Sequence, residues 1–426
     1  MENDTGALDT VCAAGQIAPM TRRVLLLGHG MQGRAALHDL VRADDTTAVM
    51  VADADPTLES QIAHYPPARV AARHLDAADV GGVETLMRDA DVVIEALPGP
   101  FALAMGRIAA RVGVPLVSSM YYRDPQERDP ARMAQTEREI AQVAADAEAR
   151  GVTILTEFGL DPGLDLVLGV RALSELDEVH EFHAYGAGLP GPGARDNPLR
   201  YKFSWSPMGV MRSYNRPARV IRDGAPEVID PATLFEARRY HMLDVAGIDL
   251  PMECYPNGDA VHYAELFGLR GRVRQMARYT GRWPGHCAFW DVMVKSGFLD
   301  REPVAVGGGR VSPMEFTAAL LASQPRFQYA DDEADLSFIR VDVRGIRGGE
   351  RRRVVYDLID RRDFATGLTS MQRTVGFTLA LGARLIAGGP LSGRGLLTPL
   401  DVPYDLVFPA LERHGIRVTR QATDWR

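Results

Sequence analysis

A glycine-rich turn between a strand and a helix constrains the fold of this chain more than any other feature. The aliphatic run at 22–27 stops at Gly28, and a helical pattern follows Gly33. In a G-x-G-x-x-G turn the first glycine permits the tight turn, the second lets the backbone approach a pyrophosphate, and the third lets helix and strand pack closely. The helix start offers free N–H groups to the phosphates. The predicted cofactor contacts of this turn are Gly28, Gly30, Met31, Gln32 and Gly33.

Strands and helices alternate along the chain after this turn. A second apolar run ends at Asp53, and the segment DVVIEAL at 91–97 is a continuous apolar strand that ends at a Pro-Gly-Pro turn. This alternation predicts an α/β fold, a Rossmann dinucleotide-binding domain over residues 21–156. Ligands bind at the carboxyl ends of strands in such sheets. Three further residues at strand ends are therefore predicted cofactor contacts: Leu97, Pro98 and Ser118.

Asp53 bears on the choice of cofactor. It lies 25 residues after Gly28, where an acid can bind the hydroxyls of the adenosine ribose. A carboxylate ~4 Å from a 2′-phosphate costs about 4 kcal/mol per unit charge at an effective dielectric constant of about 20. No basic residue follows Asp53 at once. We therefore predict that Asp53 contacts the cofactor, that NAD is favoured and that NADP is less favoured.

The composition excludes several classes of protein. The 426 residues carry 48 basic and 56 acidic side chains, and this net charge of -8 argues against nucleic acid as a partner because phosphate binding needs a basic face. No apolar run approaches the ~18 residues that span a bilayer, so we expect no membrane partner. The three cysteines lack metal-ligand spacing. We predict no metal, a cytoplasmic location and a flexible tail at residues 1–20.

The second half of the chain has a different pattern. Residues 157–330 mix strands and helices with many Gly/Pro turns, which is typical of an α+β domain. Gly348-Gly349 separates two alternating runs, 338–344 and 354–359, and predicts a hairpin. A last long helix is predicted over 370–387, because Gly-Gly-Pro follows it.

Three segments of this half have an unusual composition. GLDPGLD at 159–165 opens a helix directly after a strand, and Asp161 is one candidate for the helix N-cap, with Pro162 at the first helical position. Residues 188–206 bring amide, ammonium, hydroxyl and indole groups into one stretch, which is also compatible with a surface loop. YPNGD at 255–259 is compatible with an ordinary turn.

Together these segments resemble the saccharopine dehydrogenase family, in particular its glutamate-forming saccharopine reductases and the related lysine 6-dehydrogenases. The resemblance runs over 24–418 and includes GLDPGLD, the YKFSWSP block at 201–207, YPN at 255–257 and RYTG at 278–281. It implies a Rossmann domain with an inserted α+β domain, here 157–364, which carries the catalytic cleft and usually the dimer interface. The C-terminal segment, 365–426, is implied to return to the Rossmann domain. A homodimer is therefore expected.

The resemblance also implies reversible hydride transfer at a C–N bond, in which an opine-type secondary amine is interconverted with an aldehyde and an amino acid through an imine. Asp161 matches an aspartate proposed as the catalytic acid–base group, which also contacts substrate and cofactor. Arg278 matches an arginine that binds a substrate carboxylate. The other implied cofactor contacts are Leu160 and Ser206. The other implied substrate contacts are Tyr121, Gly188, Asn197, Lys202 and Trp205.

The chain departs from the saccharopine reductase pattern at two arginine positions. Gly258 and Met208 stand where those reductases have arginine, and losing a charge-assisted carboxylate contact costs ~1.5–3 kcal/mol. Either the substrate lacks that carboxylate, or a displaced arginine supplies the contact; the candidates are Arg200, Arg212 and Arg216. Two other functions are left open: oxidative deamination of a terminal amine, as in lysine 6-dehydrogenases, and a non-catalytic dinucleotide sensor.

Overall fold

The strands of the chain form two large sheets and one small hairpin. The computed structural model describes residues 22–44, 48–124, 127, 129–391 and 393–425, so the tail predicted at 1–20 lies outside the described residues. The strands are β1 Arg23–Leu27, β2 Ala48–Asp53, β3 Val70–His74, β4 Val92–Glu95, β5 Leu116–Ser118, β6 Thr153–Leu155, β7 Glu178–Pro190, β8 Ala218–Arg222, β9 Ala225–Ile229, β10 His241–Leu243, β11 Met252–Pro256, β12 Gln275–Arg282, β13 Val304–Val306, β14 Gly309–Val311, β15 Asp335–Arg347, β16 Glu350–Arg361, β17 Gly395–Leu397 and β18 Arg417–Asp424.

The helices cover both sheets. They are α1 Met31–Arg42, α2 Leu58–Ile62, α3 Val80–Arg88, α4 Ala102–Val112, α5 Pro130–Ala149, α6 Leu164–Leu173, α7 Pro207–Tyr214, α8 Ala260–Leu266, α9 His286–Lys295, α10 Pro313–Ala322, α11 Ser370–Gly388 and α12 Tyr404–Glu412. Within the described ranges, no helix combines the length and the apolar character that crossing a membrane requires.

The first sheet is parallel and confirms the predicted α/β class. Its seven strands lie in the order β17-β6-β5-β4-β1-β2-β3, and β1 pairs in parallel with both β2 and β4. All four residues of β4 are buried, as expected of a continuous apolar strand with helices on both faces. The turn after β1 and the turn after β4 therefore meet at the same edge of the sheet.

The second sheet is mixed, with β7 near its centre. Its main path is β10-β11-β12-β7-β15-β16-β18; β12 runs parallel to β7, whereas β15 is antiparallel to it. The predicted hairpin is confirmed, since β15 and β16 pair antiparallel around Gly348 and Gly349. Helices α6 and α11 contribute to one apolar core that also contains residues of both sheets.

The C-terminal segment contributes to both sheets. Helix α11 begins with a capping box between Thr369 and Gln372 and ends at Gly389, which has φ +89°. Strand β17 pairs in parallel with β6 of the first sheet. Strand β18, however, hydrogen-bonds along β16 of the second sheet, because the outer edge of that hairpin is open to pairing. The boundaries at 156/157 and 364/365 stay predictions.

Candidate functional site

The glycine-rich turn has the geometry of a phosphate cradle. Gly28 has φ +93°, which favours glycine, and an ideal Cβ there would lie 2.6 Å from a backbone oxygen that follows β4. A Cβ at Gly33 would overlap the Gly28 carbonyl, whereas one at Gly30 would meet no atom within 4 Å. Helix α1 begins with Met31 and Gln32, and neither a side-chain cap nor an acid occupies its first turn. This open, uncapped helix start fits a dinucleotide pyrophosphate.

Asp53 is tied into the same turn. Its Oδ2 accepts the backbone N–H of His29 at 2.6 Å, and its Oδ1 accepts that of Asp55 at 2.8 Å. The nearest basic side chain in this network is Arg34, whose Nε donates to the His29 carbonyl at 3.3 Å and whose Nη2 donates to Gln61 at 3.0 Å. The carboxylate of Asp53 therefore orders the loop, and the guanidinium of Arg34 is bonded to the same turn.

A buried glutamate lies beneath the turn that follows β4. Glu95 accepts the backbone N–H of Leu97 at 2.8 Å and a hydrogen bond from the Ser118 hydroxyl. Burial raises the pKa of Glu95 to about 7, and both hydrogen bonds oppose this rise. Ser118 is fully buried, so a cofactor contact by its side chain does not agree with the structure, whereas Leu97 is partly exposed and Pro98 is exposed.

Arg278 of β12 joins two aspartates of the GLDPGLD segment. Its Nη2 donates to Oδ1 of Asp161 and, at 2.7 Å, to Oδ2 of Asp165. The Asp165 side chain is 2% exposed and that of Asp161 is 32% exposed. Helix α6 begins at Leu164 with Gly163 as its N-cap, so the interpretation of Asp161 as an N-cap is wrong. The Asp161 carboxylate does not cap the helix; it pairs with Arg278 and stays partly exposed.

Burial and the neighbouring charges affect the protonation of Asp165. Burial raises the pKa of Asp165 above its ordinary value; the Arg278 charge opposes the rise, and the neighbouring Asp161 carboxylate adds to it. Burial and a like charge both disfavour the ionised form of a carboxyl group. Asp165 can therefore hold a proton at a higher pH than an isolated aspartate.

Glu157 and Tyr263 extend this cluster, and no sequence motif marked them. Tyr263 Oη donates to Glu157 Oε2 at 3.2 Å, and Arg278 Cζ lies 4.1 Å from the centre of the Tyr263 ring. Burial raises the pKa of Glu157, whereas the Tyr263 hydroxyl lowers it. Glu157 has φ +57°, which few non-glycine residues adopt. Its place just after β6, at the edge where ligands bind, was the available signal.

Tyr121 and Gly186 complete the surroundings of Asp161. Burial raises the pKa of Tyr121 to about 12, and the charges of Arg216 and Asp161 act on its hydroxyl in opposite directions. A Cβ at Gly186 would overlap the Asp161 carboxylate, so this glycine of β7 leaves room for it. Thr280 of β12 pairs with Gly186 in register. The predicted residues Tyr121, Asp161 and Arg278 are thus brought together, although they come from distant parts of the chain.

Lys202 and Asn197, which were predicted to contact substrate, form hydrogen bonds with other groups of the protein. Lys202 Nζ donates to both carboxylate oxygens of Glu333, at 2.6 and 2.7 Å, and to the Gln328 carbonyl at 2.9 Å. These bonds use all three ammonium donors. The Asn197 amide accepts the Leu199 N–H at 3.0 Å and donates to a backbone carbonyl within its own turn. Both side chains stabilise loops, so the structure does not agree with their predicted role as direct substrate contacts.

The remaining predicted contacts lie on β7, before α6 and at the start of α7. Ser206 is the N-cap of α7, and its Oγ accepts a first-turn N–H at 3.2 Å. Trp205 is partly buried, and the Leu160 side chain is buried, so a cofactor contact by Leu160 falls to its backbone. Gly188 lies two residues after Gly186 on β7 and therefore shares its face.

Metal ligands do not converge anywhere in the described parts of the chain. Those residues contain no group of three or more His, Cys, Asp or Glu side chains that could hold a metal ion. Cys254 and Cys287 are free and buried. Burial raises the pKa of the Cys254 thiol to about 12, which keeps the thiol protonated and a poor nucleophile or ligand.

Comparisons with known proteins agree with this architecture. A family model described as Saccharopine dehydrogenase C-terminal domain matches residues 159–416, and one described as Saccharopine dehydrogenase NADP binding domain matches residues 24–155. A yeast protein, saccharopine dehydrogenase [NADP(+), L-glutamate-forming], is 26% identical over 93% of this chain and 98% of its own. The solved apo structure of yeast saccharopine dehydrogenase (L-Glu forming) superposes with TM-score 0.76 at 23% identity, covering 94% of this chain and 100% of that one.

Other relatives are longer than this chain. The mouse mitochondrial alpha-aminoadipic semialdehyde synthase is 27% identical over 94% of this chain but only 48% of its own length. The chain thus spans about half the length of that relative.

The prediction that NAD is the favoured cofactor is wrong. The N-terminal family model is an NADP binding domain, and the yeast relative is named for NADP(+). Repulsion between Asp53 and a 2′-phosphate was the basis for favouring NAD. In the structure, that carboxylate accepts two backbone N–H groups of its own turn, and Arg34 is bonded to the same turn. Sequence spacing alone contained no information about these contacts.

Proposed function

This chain belongs to the saccharopine dehydrogenase family, and we propose that it catalyses an NADP(H)-dependent oxidoreduction of the CH–NH group in an amino-acid-derived secondary amine. The observation that carries this proposal is the Asp161–Arg278–Asp165 cluster, which joins the GLDPGLD segment after β6 to β12 of the second sheet. In the oxidative direction, the amine becomes an imine, and water then cleaves the imine to an aldehyde and an amino acid.

The cofactor would be held by the glycine-rich turn. The uncapped start of α1 and the open space at Gly30 would take the pyrophosphate, and Arg34, which is bonded to the same turn, would meet the 2′-phosphate. The exposed Pro98 would lie along the nicotinamide half, since it follows β4 at the same edge. Bound NADP(H) supplies the hydride acceptor or donor.

Asp161 would carry the proton transfers. Its carboxylate is the accessible member of the pair of aspartates, whereas Asp165 is buried behind it. In amine oxidation, the amine nitrogen loses its proton to Asp161, and the adjacent carbon gives up its hydride, as the carbon–nitrogen double bond forms. Asp161 would then return this proton to the imine nitrogen, and the carboxylate so regenerated would remove a proton from the water that adds to the imine carbon. Arg278 would keep the carboxylate oriented, and Asp165 would store a proton beside it, because its pKa is raised by burial.

An activity assay of Asp161 tests this function. Purified protein is mixed with NADP⁺ and saccharopine, and nicotinamide absorbance and released glutamate are followed. We expect turnover, and we expect Asp161→Asn to reduce kcat by roughly 10²–10⁴-fold, since general acid–base catalysis contributes about that factor. NADPH affinity, measured by fluorescence titration, should change little. The exposed Asp332→Asn is the matched control and should keep full activity.

Two outcomes of these assays would indicate one of the other functions, and a third would contradict the role of Asp161. Turnover of lysine alone, without a secondary amine, would indicate a lysine 6-dehydrogenase type of reaction. NADPH binding without turnover over a panel of amines and aldehydes would indicate a dinucleotide sensor. Full activity of Asp161→Asn would contradict the acid–base role given to that residue.

We further propose a cytoplasmic location, which the two free buried thiols Cys254 and Cys287 support and which cell fractionation tests.

A further inference from the structure

The charge balance around Arg278 raises the question of what binds a substrate carboxylate. One nitrogen of Arg278 already donates to Asp161 and Asp165, so two acids surround a single cation. Its other terminal nitrogen, Nη1, is buried and has no hydrogen-bond partner among the described residues. A substrate carboxylate that approached this cluster would meet the Asp161 carboxylate as well as the guanidinium. Carboxylate binding therefore needs a second cation nearby.

Arg216, which follows α7, is such a cation. Its Nη2 donates to Asn257 Oδ1 at 2.7 Å, and its Nε lies 3.3 Å from the same oxygen. Asn257 in turn donates from Nδ2 to the Thr280 hydroxyl at 2.6 Å and from its backbone N–H to the Arg278 carbonyl at 2.8 Å. The Arg216 guanidinium is therefore held against the strand that carries Arg278.

The hydrogen bonds to Asn257 do not use all the N–H donors of the Arg216 guanidinium. A guanidinium has five N–H donors, and the bonds to Asn257 use two of them. Within the ranges that the structure describes, Arg216 forms no ion pair with a carboxylate, unlike Arg278. The residue is only partly buried. It can thus offer a bidentate pair of N–H groups to an incoming carboxylate without losing a protein partner.

Arg216 also lies close to Gly258 and acts on the hydroxyl of Tyr121. An ideal Cβ on Gly258, which has φ +74°, would lie 4.0 Å from Arg216 Nη2, so the guanidinium occupies the space into which a side chain at 258 would extend. The charges of Arg216, Asp161 and Arg278 all act on the Tyr121 hydroxyl. Arg216 therefore shares the surroundings of Tyr121 with the proposed acid–base group.

The other two candidate arginines are placed differently. Arg200 is exposed and donates to the Pro284 carbonyl at 3.3 Å. Arg212 is exposed on α7. Among the residues that the structure describes, no contact of either arginine leads to Asn257 or Arg278. Of the three arginines, Arg216 alone is linked to the cluster through the described contacts.

We propose that Arg216 binds the α-carboxylate of the amino-acid portion of the substrate and so directs its amine nitrogen toward Asp161. The inference rests on the proposed function, and it assigns the substrate to amines that carry a carboxylate close to the reacting nitrogen. Arg278 then orients Asp161 and leaves recognition of this carboxylate to Arg216.

Reductive kinetics with two amines test this assignment. The assay uses NADPH, an amino-acid semialdehyde and either glutamate or its α-amide, in which the α-carboxylate is replaced. We expect Arg216→Gln to raise KM for glutamate by roughly 10- to 100-fold, the range of a lost charge-assisted contact, with a smaller change in kcat. KM for the α-amide should be similar in wild type and variant. Arg216→Lys should recover part of the affinity, and Arg212→Gln is the matched control.

Equilibrium measurements separate this inference from the proposed function. Calorimetry of glutamate binding to the complex with NADPH compares wild type and Arg216→Gln without requiring turnover. Glutamate binding that Arg216→Gln abolishes would support the inference even if no turnover were found and the proposed function failed. An unchanged glutamate KM or Kd in Arg216→Gln, an equal loss with the α-amide, or no glutamate binding by the wild type would overturn the inference. NADPH affinity should be equal in all variants.

Discussion

At the scale of single residues, the chain concentrates buried acids where ligands would bind. Glu95 follows the apolar stretch of β4, Glu157 follows β6, and Asp165 lies in the first turn of α6. Burial raises the pKa of each of these groups. Their hydrogen bonds organise turns and side chains at the ligand edge. Such shifted acids are more common at functional sites than elsewhere, although structural acids are shifted as well.

Glu95 gives a prediction for stability against pH. Its pKa is raised from 4.5 to about 7 in the folded protein, so between these values the folded chain keeps a proton that the unfolded chain has lost. Stability from this group is therefore present at low pH and is lost as pH rises through 7. From pH 5 to pH 8, we expect the wild type to lose about 2–3 kcal/mol of unfolding free energy relative to Glu95→Gln, because about two pH units of this window lie between the ordinary and the raised pKa, at about 1.36 kcal/mol per unit.

Denaturant unfolding of the two proteins at both pH values measures this difference. The exposed Glu59→Gln serves as control and should follow the wild type. Curves of wild type and Glu95→Gln that run parallel from pH 5 to pH 8 would show that Glu95 is already ionised at low pH in the fold.

At the scale of elements, the three glycines of the turn before α1 meet different structural requirements. Gly28 supplies a backbone conformation with φ +93°, and Gly33 permits close packing against the Gly28 carbonyl. Gly30 has neither constraint: its φ is −70°, and its surroundings are open. Folding alone therefore requires the first and third glycines, and only a bound phosphate would require the second.

Alanine substitutions separate these requirements. We expect Gly30→Ala to leave the melting temperature nearly unchanged and to weaken NADPH binding by roughly 10-fold or more, because the methyl group would fill space meant for the pyrophosphate. Gly33→Ala should cost about 1–3 kcal/mol of stability through overpacking. Thermal melts and NADPH titrations measure both effects. Unchanged NADPH affinity in Gly30→Ala would place the pyrophosphate elsewhere.

At the scale of the whole molecule, the second half exposes apolar side chains that its own core does not cover. Phe289 and Val292 of α9 are 37% and 62% exposed, and Phe316 and Leu320 of α10 are 54% and 47% exposed. The inner faces of both helices pack into one core cluster. Exposed apolar side chains that adjoin one another are typical of protein interfaces, and we predict that α9 and α10 contribute to the interface of the expected homodimer.

Sedimentation velocity tests this interface. We expect a dimer for the wild type and a monomer for the double variant Val292→Glu/Phe316→Glu, because a dimer would bury two new charges in each subunit. Val80→Glu, an equally simple change at an exposed valine of α3, should stay dimeric. A monomeric wild type, or a double variant that still dimerises, would exclude α9 and α10 as the interface.

Local patterns were sufficient for the first sheet and for the hairpin of the second. The continuous apolar strands, the glycine spacing at 28–33 and the Gly348-Gly349 turn each act over a few residues, and the first sheet and the hairpin formed where these patterns predicted them. Such features can be predicted because backbone geometry and hydrophobic periodicity depend on neighbours in the chain. The family resemblance rested on other short motifs, among them GLDPGLD at 159–165 and RYTG at 278–281, and the two family models confirm it.

The chemistry of the cleft was decided by long-range contacts. Lys202 was expected to bind substrate, but its partner Glu333 lies 131 residues away. Arg278 meets Asp161 across 117 residues, and Arg216 meets Asn257 across 41. Whether a charged side chain is free for a ligand depends on which opposite charge the fold places beside it. Residues that are far apart in the sequence become neighbours only when the chain folds. The structure was therefore needed to show which of the three candidate arginines lies beside the cluster.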